Sequence, residues 1–379
     1  MSNTIEVHSR LALLFRILTI VLVFAVVGAT AWVWHLWTAA WSSEASPISR
    51  EQFVRIPPGA TLPAATDSLL RHGLLRHPHL FQIMARLTGK DRRVQAGRYA
   101  IPVGLSPRDV LQWLVSGRTM LVRITLPEGI TASEAADIVA DSLFCSAEVF
   151  LVVADSMVRE SAIARQFLGD QRHIAQLDSL VNHRSKNIPR SFHWSEGYLA
   201  PDTYNFAEGT SPAVIAATIV ELGLARLDSI YRSRKPSVKK LGFTPHQLLT
   251  LASIVEAEAR KDEERSQIAA VYINRLRKGW RLEADPCVAY LLHKKGRRLL
   301  FKDLTVVSPY NTYRNAGLPP GPIGSPGLLS LQATANPHEN RDILFFVSDS
   351  EGGHVFSSSR EEHEQAVREF REKRRQSTR

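Results

Sequence analysis

Eighteen consecutive residues without a charge, Ile17 to Trp34, constrain this chain before anything else does. The run continues through Leu36 with only His35 interrupting. At about 1.5 Å per helical residue it spans about 30 Å of hydrocarbon, so residues 17–36 read as a transmembrane helix. A cleavable signal peptide is the rival, since Ala29-Thr30-Ala31 has the small residues of a processing site. The apolar run passes beyond that point, and Trp32, Trp34, Trp37 and Trp41 cluster where an outer interfacial belt would lie. An uncleaved anchor is the favoured reading. Arg10 and Arg16 precede the span and Glu44 is the first charge after it, so residues 1–16 are expected in the cytoplasm. Everything from about residue 42 then lies outside.

Beyond a linker over 37–51, the length of 379 residues suggests two globular units. The expected boundaries are 52–120 and 121–375, with a basic tail at 376–379. A net charge of +10 invites a nucleic-acid reading, but no zinc spacing, recognition module or glycine-rich phosphate loop accompanies it. No nucleic acid is expected. The basic residues from Arg368 to Arg379 suit the C-terminal end of a last helix, with an anionic envelope polymer or lipid head groups as alternative partners. Cys145 and Cys287, the only cysteines, fall in different segments of the chain and are read as two buried free thiols.

A phrase recurs in the first unit and at the start of the second: Ile56-Pro57-Pro58-Gly59-Ala60-Thr61, Ile101-Pro102-Val103-Gly104-Leu105-Ser106 and Leu126-Pro127-Glu128-Gly129-Ile130-Thr131. Each is a strand end, a Pro/Gly turn and a hydroxyl residue placed to cap a helix, predicted at Leu62–His72, Pro107–Val115 and Ala132–Leu143. This style resembles LysM-like carbohydrate-binding modules, with a plain structural turn as the competing reading. From Ser146 to Arg190 the pattern is polar and helical, without evident chemistry. His173, His183 and His193 show no ligand pairing, and no HExxH, CxxC or GxSxG occurs, so neither metal nor cofactor is expected.

The second half carries the unusual loops. Glu196-Gly197-Tyr198-Leu199-Ala200-Pro201-Asp202-Thr203-Tyr204, Arg281-Leu282-Glu283-Ala284-Asp285-Pro286 and Tyr310-Asn311-Thr312-Tyr313 combine aromatic rings with amides and carboxylates, as a sugar groove requires. The stretch from Gly317 to Gly327 is too rich in Pro and Gly for a helix or central strand and reads as a shaped loop. Leu344–Val347 is predicted as a buried strand returning through Gly352-Gly353 to His354-Val355-Phe356, before a last helix capped by Ser359.

Thr244-Pro245-His246-Gln247 is a capping box on a proline-started helix. Along it Leu248, Leu251, Ala252, Val255 and Ala259 gather on one side, while Thr250, Ser253, Ala257 and Lys261 fall on the other. Glu256 borders the apolar stripe, where desolvation favours a protonated carboxyl, so it is a candidate general acid. Glu258 flanks the opposite edge, and helical geometry barely separates the two. Being about 200° apart, they are not expected to converge on one substrate atom.

Ala252-Ser253-Ile254-Val255-Glu256, Glu196-Gly197-Tyr198-Leu199, Asp285-Pro286, Tyr310-Asn311-Thr312-Tyr313, Gly317-Leu318-Pro319-Pro320-Gly321-Pro322-Ile323 and Gly352-Gly353-His354-Val355-Phe356 together resemble the YceG-like family of endolytic murein transglycosylases. The resemblance implies an α+β protein: one transmembrane helix, a small LysM-like αβ subdomain and a larger lytic transglycosylase domain. It implies a single-pass inner-membrane enzyme acting on peptidoglycan glycan strands, with penicillin-binding synthases as candidate partners. It makes Glu256 the catalytic acid/base, deciding against Glu258. Glu196, Tyr198, Asp285, Tyr310, Asn311 and Tyr313 are its candidate substrate contacts. Ala200, Glu283 and Cys287 depart from the family's usual aromatic, amide or hydroxyl, and threonine, which bears on fine contacts with substrate.

The expected reaction is cleavage of the MurNAc–GlcNAc bond with a 1,6-anhydro end, terminating strand growth. One carboxyl suffices for this, whereas a hydrolase needs a second about 5–10 Å away, for which Glu283, Asp285, Glu196 or Asp202 are the choices. A glycan hydrolase and a non-catalytic glycan-binding scaffold are the competing readings.

Overall fold

The structure, a computed structural model, describes residues 2–41, 51–57, 59–143, 145–160, 192–349 and 351–377. The expected helical stretch over 146–190 is therefore described only to residue 160. His173, His183, most of the linker and the last two residues lie outside the described part.

Helix α1 (Ser2–Trp41) contains a 20-residue span, Arg16–His35, long and apolar enough to cross a membrane. Its described side chains are exposed, Trp32 and Trp34 among them. The chain then divides into two compact units, residues 1–121 with 207–209 and residues 122–206 with 210–379.

In the first unit β1 (Glu51–Ile56) leads to α2 (Leu62–Arg71) and α3 (Pro78–Leu87). Strand β2 (Gly97–Pro102) then pairs antiparallel with β1, and α4 (Pro107–Ser116) follows. Thr61, Ser106 and Thr131 accept hydrogen bonds from Ala64 N, Asp109 N and Glu134 N, so all three hydroxyl residues of the recurring phrase are true N-caps. Alternate strand residues Val54, Ile56, Tyr99 and Ile101 meet Leu69, Phe81, Leu111 and Leu114 in a separate small core. Residues 207–209, expected in the second unit, belong here because buried Glu208 is held by Arg55 at 2.6 Å and Arg98 at 3.3 Å.

The second unit begins with β3 (Leu121–Leu126), α5 (Ala132–Leu143) and α6 (Ala147–Glu160), and β4 (Asp202–Ala207) forms a two-stranded sheet with β3. Then follow α7 (Pro212–Ser233), α8 (Pro245–Glu258), α9 (Arg265–Arg277), α10 (Asp285–Leu291) and α11 (Leu328–Ala335). A hairpin of β5 (Phe345–Ser348) and β6 (His354–Ser357) precedes α12 (Arg360–Ser377). Strand β5 is half-buried along its length rather than buried. The large core runs from Ile124 to Ala335 and has α8 at its middle. Cys287 is buried and Cys145 half-buried, both as free thiols.

The capping box of α8 is present in both directions: Gln247 N donates to Thr244 Oγ1 at 3.2 Å and Thr244 N donates to Gln247 Oε1 at 3.0 Å. The expected two-sided helix, however, is buried all round from Leu248 to Val255, including Thr250 and Ser253. A helix enclosed on every side must satisfy its polar residues internally. Thr250 bonds back to His246 O, and the remaining polar positions hold the Pro/Gly loop described next.

Candidate active site

Three side chains spaced along α8 fix the loop at residues 317–327. His246 Nε2 donates to Pro320 O at 3.0 Å, Ser253 Oγ accepts from Ile323 N at 3.1 Å, and Glu256 Oε2 accepts from Gly327 N at 2.9 Å. Because a carbonyl only accepts, neutral His246 carries its hydrogen on Nε2, leaving Nδ1 to accept from Tyr198 Oη at 2.8 Å. The loop's far side pairs with the third Pro/Gly phrase: Gly129 N donates to Ser325 O and Ser325 N to Ile130 O, each at 2.7 Å. A Cβ at Gly324 would stand 2.8 Å from Gly129 O, so only glycine lets these two backbones meet.

Glu256 sits in the last turn of α8, where the helix's C-terminal partial charge is negative and no basic side chain offsets it. Two outside groups do. Arg265 Nη1 donates to Glu256 Oε1 at 3.0 Å, and the Gly327 amide at the start of α11 meets the other oxygen. The two side chains are 8% and 9% exposed, so this is an enclosed pair that retains an opening. Arg265 also binds Asp262 Oδ1 through Nε at 3.0 Å and donates from Nη1 to Ser330 Oγ; its Nη2 lies 3.9 Å from Glu128 Oε2. Arg265 follows a short turn, Asp262–Glu264. Glu264 in turn clamps the Gly-Gly-His hairpin, accepting from His354 N and Nδ1, each at 2.8 Å.

This cluster forms one wall of a cleft of about 1150 Å³. Glu128, Ser253, Glu256, Glu258, Asp285 and Tyr290 line it, with Lys295, Arg297 and Arg298 along another edge. Glu256 and Glu258 both line this space, which wraps the C-terminal turn of α8. They differ in their partners. Glu258 accepts from Tyr272 Oη at 2.7 Å, and burial, with Asp285 as a lesser like charge, raises its pKa to about 7. Glu128 is also raised, first by desolvation and then by the charge of Glu256.

Asp285 is exposed at the start of α10, where Tyr313 Oη donates to it at 2.7 Å. Burial, reinforced by Asp285, raises the Tyr313 hydroxyl. Glu196 is 2% exposed and stands behind Tyr290, accepting from its hydroxyl and from Ala132 N, each at 3.1 Å. Burial raises Glu196 to about 7.

Tyr198, Tyr310 and Asn311 sit elsewhere than expected, since all three are buried among protein groups. Tyr198 orients His246. Asn311 donates to Leu304 O and Val306 O and accepts from Tyr313 N, so it shapes the turn that presents Tyr313. The Tyr310 ring packs beside Tyr290 and Phe192, with centroids 5.4 and 6.2 Å away. They stand behind the cleft wall rather than on it.

Sequence reasoning missed Glu128, Arg265 and Gly327. Glu128 lay in a phrase read only as a turn, and Arg265 in a charge-rich stretch without a motif. Gly327 ended a loop whose partner is 71 residues away. Among the described residues no group of three or more His, Cys, Asp or Glu side chains is arranged to hold a metal ion.

The sequence profile described as the YceG-like family matches residues 54–369. The endolytic murein transglycosylase of Bacillus subtilis is 32% identical over 319 residues, covering 84% of this chain and 84% of that protein. The protein of the same name from Streptococcus pneumoniae strain D39 is 32% identical over 336 residues; the match covers 83% of this chain and 58% of that longer protein. The crystal structure of a putative yceG-like protein from Listeria monocytogenes superposes with a TM-score of 0.52 at 28% identity, covering 83% of this chain and 98% of that one. A match running through both units, from residue 54 to residue 369, places this chain in the YceG-like family.

Proposed function

We propose that this protein is a membrane-anchored lytic transglycosylase that cuts murein glycan strands internally, with Glu256 as its acid/base. The supporting observation is the setting of Glu256. It is the cleft carboxylate held by both a guanidinium and a backbone amide, directly after the stretch of α8 that is buried from Leu248 to Val255. Such fixed donors position a group for proton transfer and cost no reorganisation during reaction.

Glu256 gives its proton to the glycosidic oxygen as the bond from C1 of the N-acetylmuramoyl unit breaks. It then accepts the proton of that sugar's C6 hydroxyl, whose oxygen closes on C1 to leave a 1,6-anhydro end. No water is consumed. Asp285, on the same cleft and held by Tyr313 Oη, offers a carboxylate for sugar hydroxyls.

The βααβ order of the first unit, with its strands paired antiparallel, supports a LysM-like glycan-binding role for it. The apolar helix Arg16–His35 supports an inner-membrane anchor with the N-terminus inside. A cutter so placed acts on new strands beside the synthases that extrude them, and its cuts end their elongation.

Mass analysis of digested glycan strands is the test. Ends one water lighter than hydrolytic ends are expected, and ordinary reducing ends as the main product overturn the lytic assignment. Glu256→Gln should keep the fold and lose at least about a hundredfold in kcat, the scale of one general acid/base. Undiminished cleavage, or full complementation of a deletion, would mean that the residue or the enzyme class is wrong.

A further inference from the structure

Glu256 faces a difficulty as a proton donor. Bonded to Arg265 at 3.0 Å and to the Gly327 amide at 2.9 Å, it is arranged as a carboxylate. Protonating it leaves the Arg265 charge, on a side chain only 9% exposed, without that partner. A second carboxyl stands within reach. Glu128 Oε2 is already 3.9 Å from Arg265 Nη2. Its other oxygen lies over Gly327, since a Cβ built there would come within 1.9 Å of Glu128 Oε1. From the next residue, a Cβ at Gly129 would be 3.6 Å from Glu256 Cγ. Two carboxyls thus flank one guanidinium and one glycine.

We propose that Glu128 and Glu256 act as a pair holding one proton between them, with Arg265 turning from Glu256 to Glu128 whenever Glu256 is protonated. The proposal rests on the lytic reading above and adds a positioning residue to it. Asp262 holds Arg265 Nε at 3.0 Å, so the guanidinium needs only to pivot about that bond. The charged groups bearing on Glu128 are Glu256, Arg265 and Asp262: after burial, the like charges of Glu256 and Asp262 raise it, while Arg265 lowers it. Two carboxyls sharing one guanidinium act together in this scheme, and the singly protonated pair is its working form. In that form Glu256 gives its proton to the leaving oxygen, Arg265 returns to it as it becomes an anion, and the C6 hydroxyl proton restores the starting state.

Glu128→Gln keeps the shape and removes the charge. Measured on murein strands with the full chain in detergent, kcat should fall at least about tenfold with KM within about twofold. The alkaline limb of the rate profile should move to lower pH by about one unit, and the acid limb should flatten, because one carboxyl then titrates alone. Glu128→Asp, which restores the charge on a shorter arm, should recover part of the rate and the two-limbed profile. Equal melting temperatures separate this from misfolding. A Glu128→Gln profile superposable on wild type, whatever its height, overturns the proposal and leaves the lytic reading standing. Failure of wild type to form anhydro ends overturns both.

Discussion

Replacing Glu196 by Gln should make the protein more stable at neutral pH and leave it nearly unchanged in acid. The side chain is 2% exposed, and burial raises its pKa from 4.5 to about 7 despite hydrogen bonds from Tyr290 and from Ala132 N. Ala132 opens α5, so its amide has no partner within the helix, and a glutamine Oε1 can accept from it equally well. The folded-state value is raised, so the proton is held more tightly folded than unfolded. Stability from this group is therefore complete below about 4.5 and is lost as the pH rises to about 7, after which the loss is constant. At about 1.4 kcal/mol per tenfold change in proton affinity, the loss amounts to about 3 kcal/mol. Glutamine does not ionise and escapes it. Denaturant titrations of the full-length wild type and Glu196→Gln in the same detergent, at pH values from about 4 to about 8, isolate the difference, because Glu258 and all other groups titrate in both. A gap growing across that window to about 3 kcal/mol is expected; a gap independent of pH would refute the assignment.

Three further substitutions probe the architecture. Gly327→Ala puts a Cβ 1.9 Å from Glu128 Oε1, the end of a flexible, half-exposed side chain, so it should lower kcat by displacing that carboxylate with little change in denaturant stability; unchanged turnover would mean that Glu128 does not matter to the site. Ser253→Ala leaves the buried amide of Ile323 without its acceptor and should cost about 1–3 kcal/mol, read from the denaturation midpoint. Tyr198→Phe removes the hydroxyl from His246 and should cost about 1 kcal/mol with KM unchanged; a raised KM would restore Tyr198 as a substrate contact.

The start of α8 was legible because a capping box is local: Thr244, Pro245 and Gln247 carry the whole signal. Its surroundings were not. Thr250 and Ser253 read as a solvent face, and only a loop about seventy residues further on converts that face into an interior one. In the first unit Thr61 and Ser106 announced α2 and α4, whereas α3 follows His77, which makes no side-chain cap, and only Pro78 at its first position marks the start. At the site, the carboxylates on α8 and at Asp285 were visible as residue types. Arg265 and Glu128 became part of the chemistry only through tertiary placement. Tyr198, Tyr310 and Asn311 have the composition of a sugar groove, but the fold uses that composition to brace its loops.

The amide that meets Glu256 belongs to Gly327, and the hairpin gripping the turn before Arg265 comes later still, at Gly353-His354. A polypeptide still being synthesised therefore has its acidic group long before it has the surroundings that make it competent. Chains stopped short of that hairpin should be inert, so a wall-cutting activity would switch on only once synthesis has passed His354.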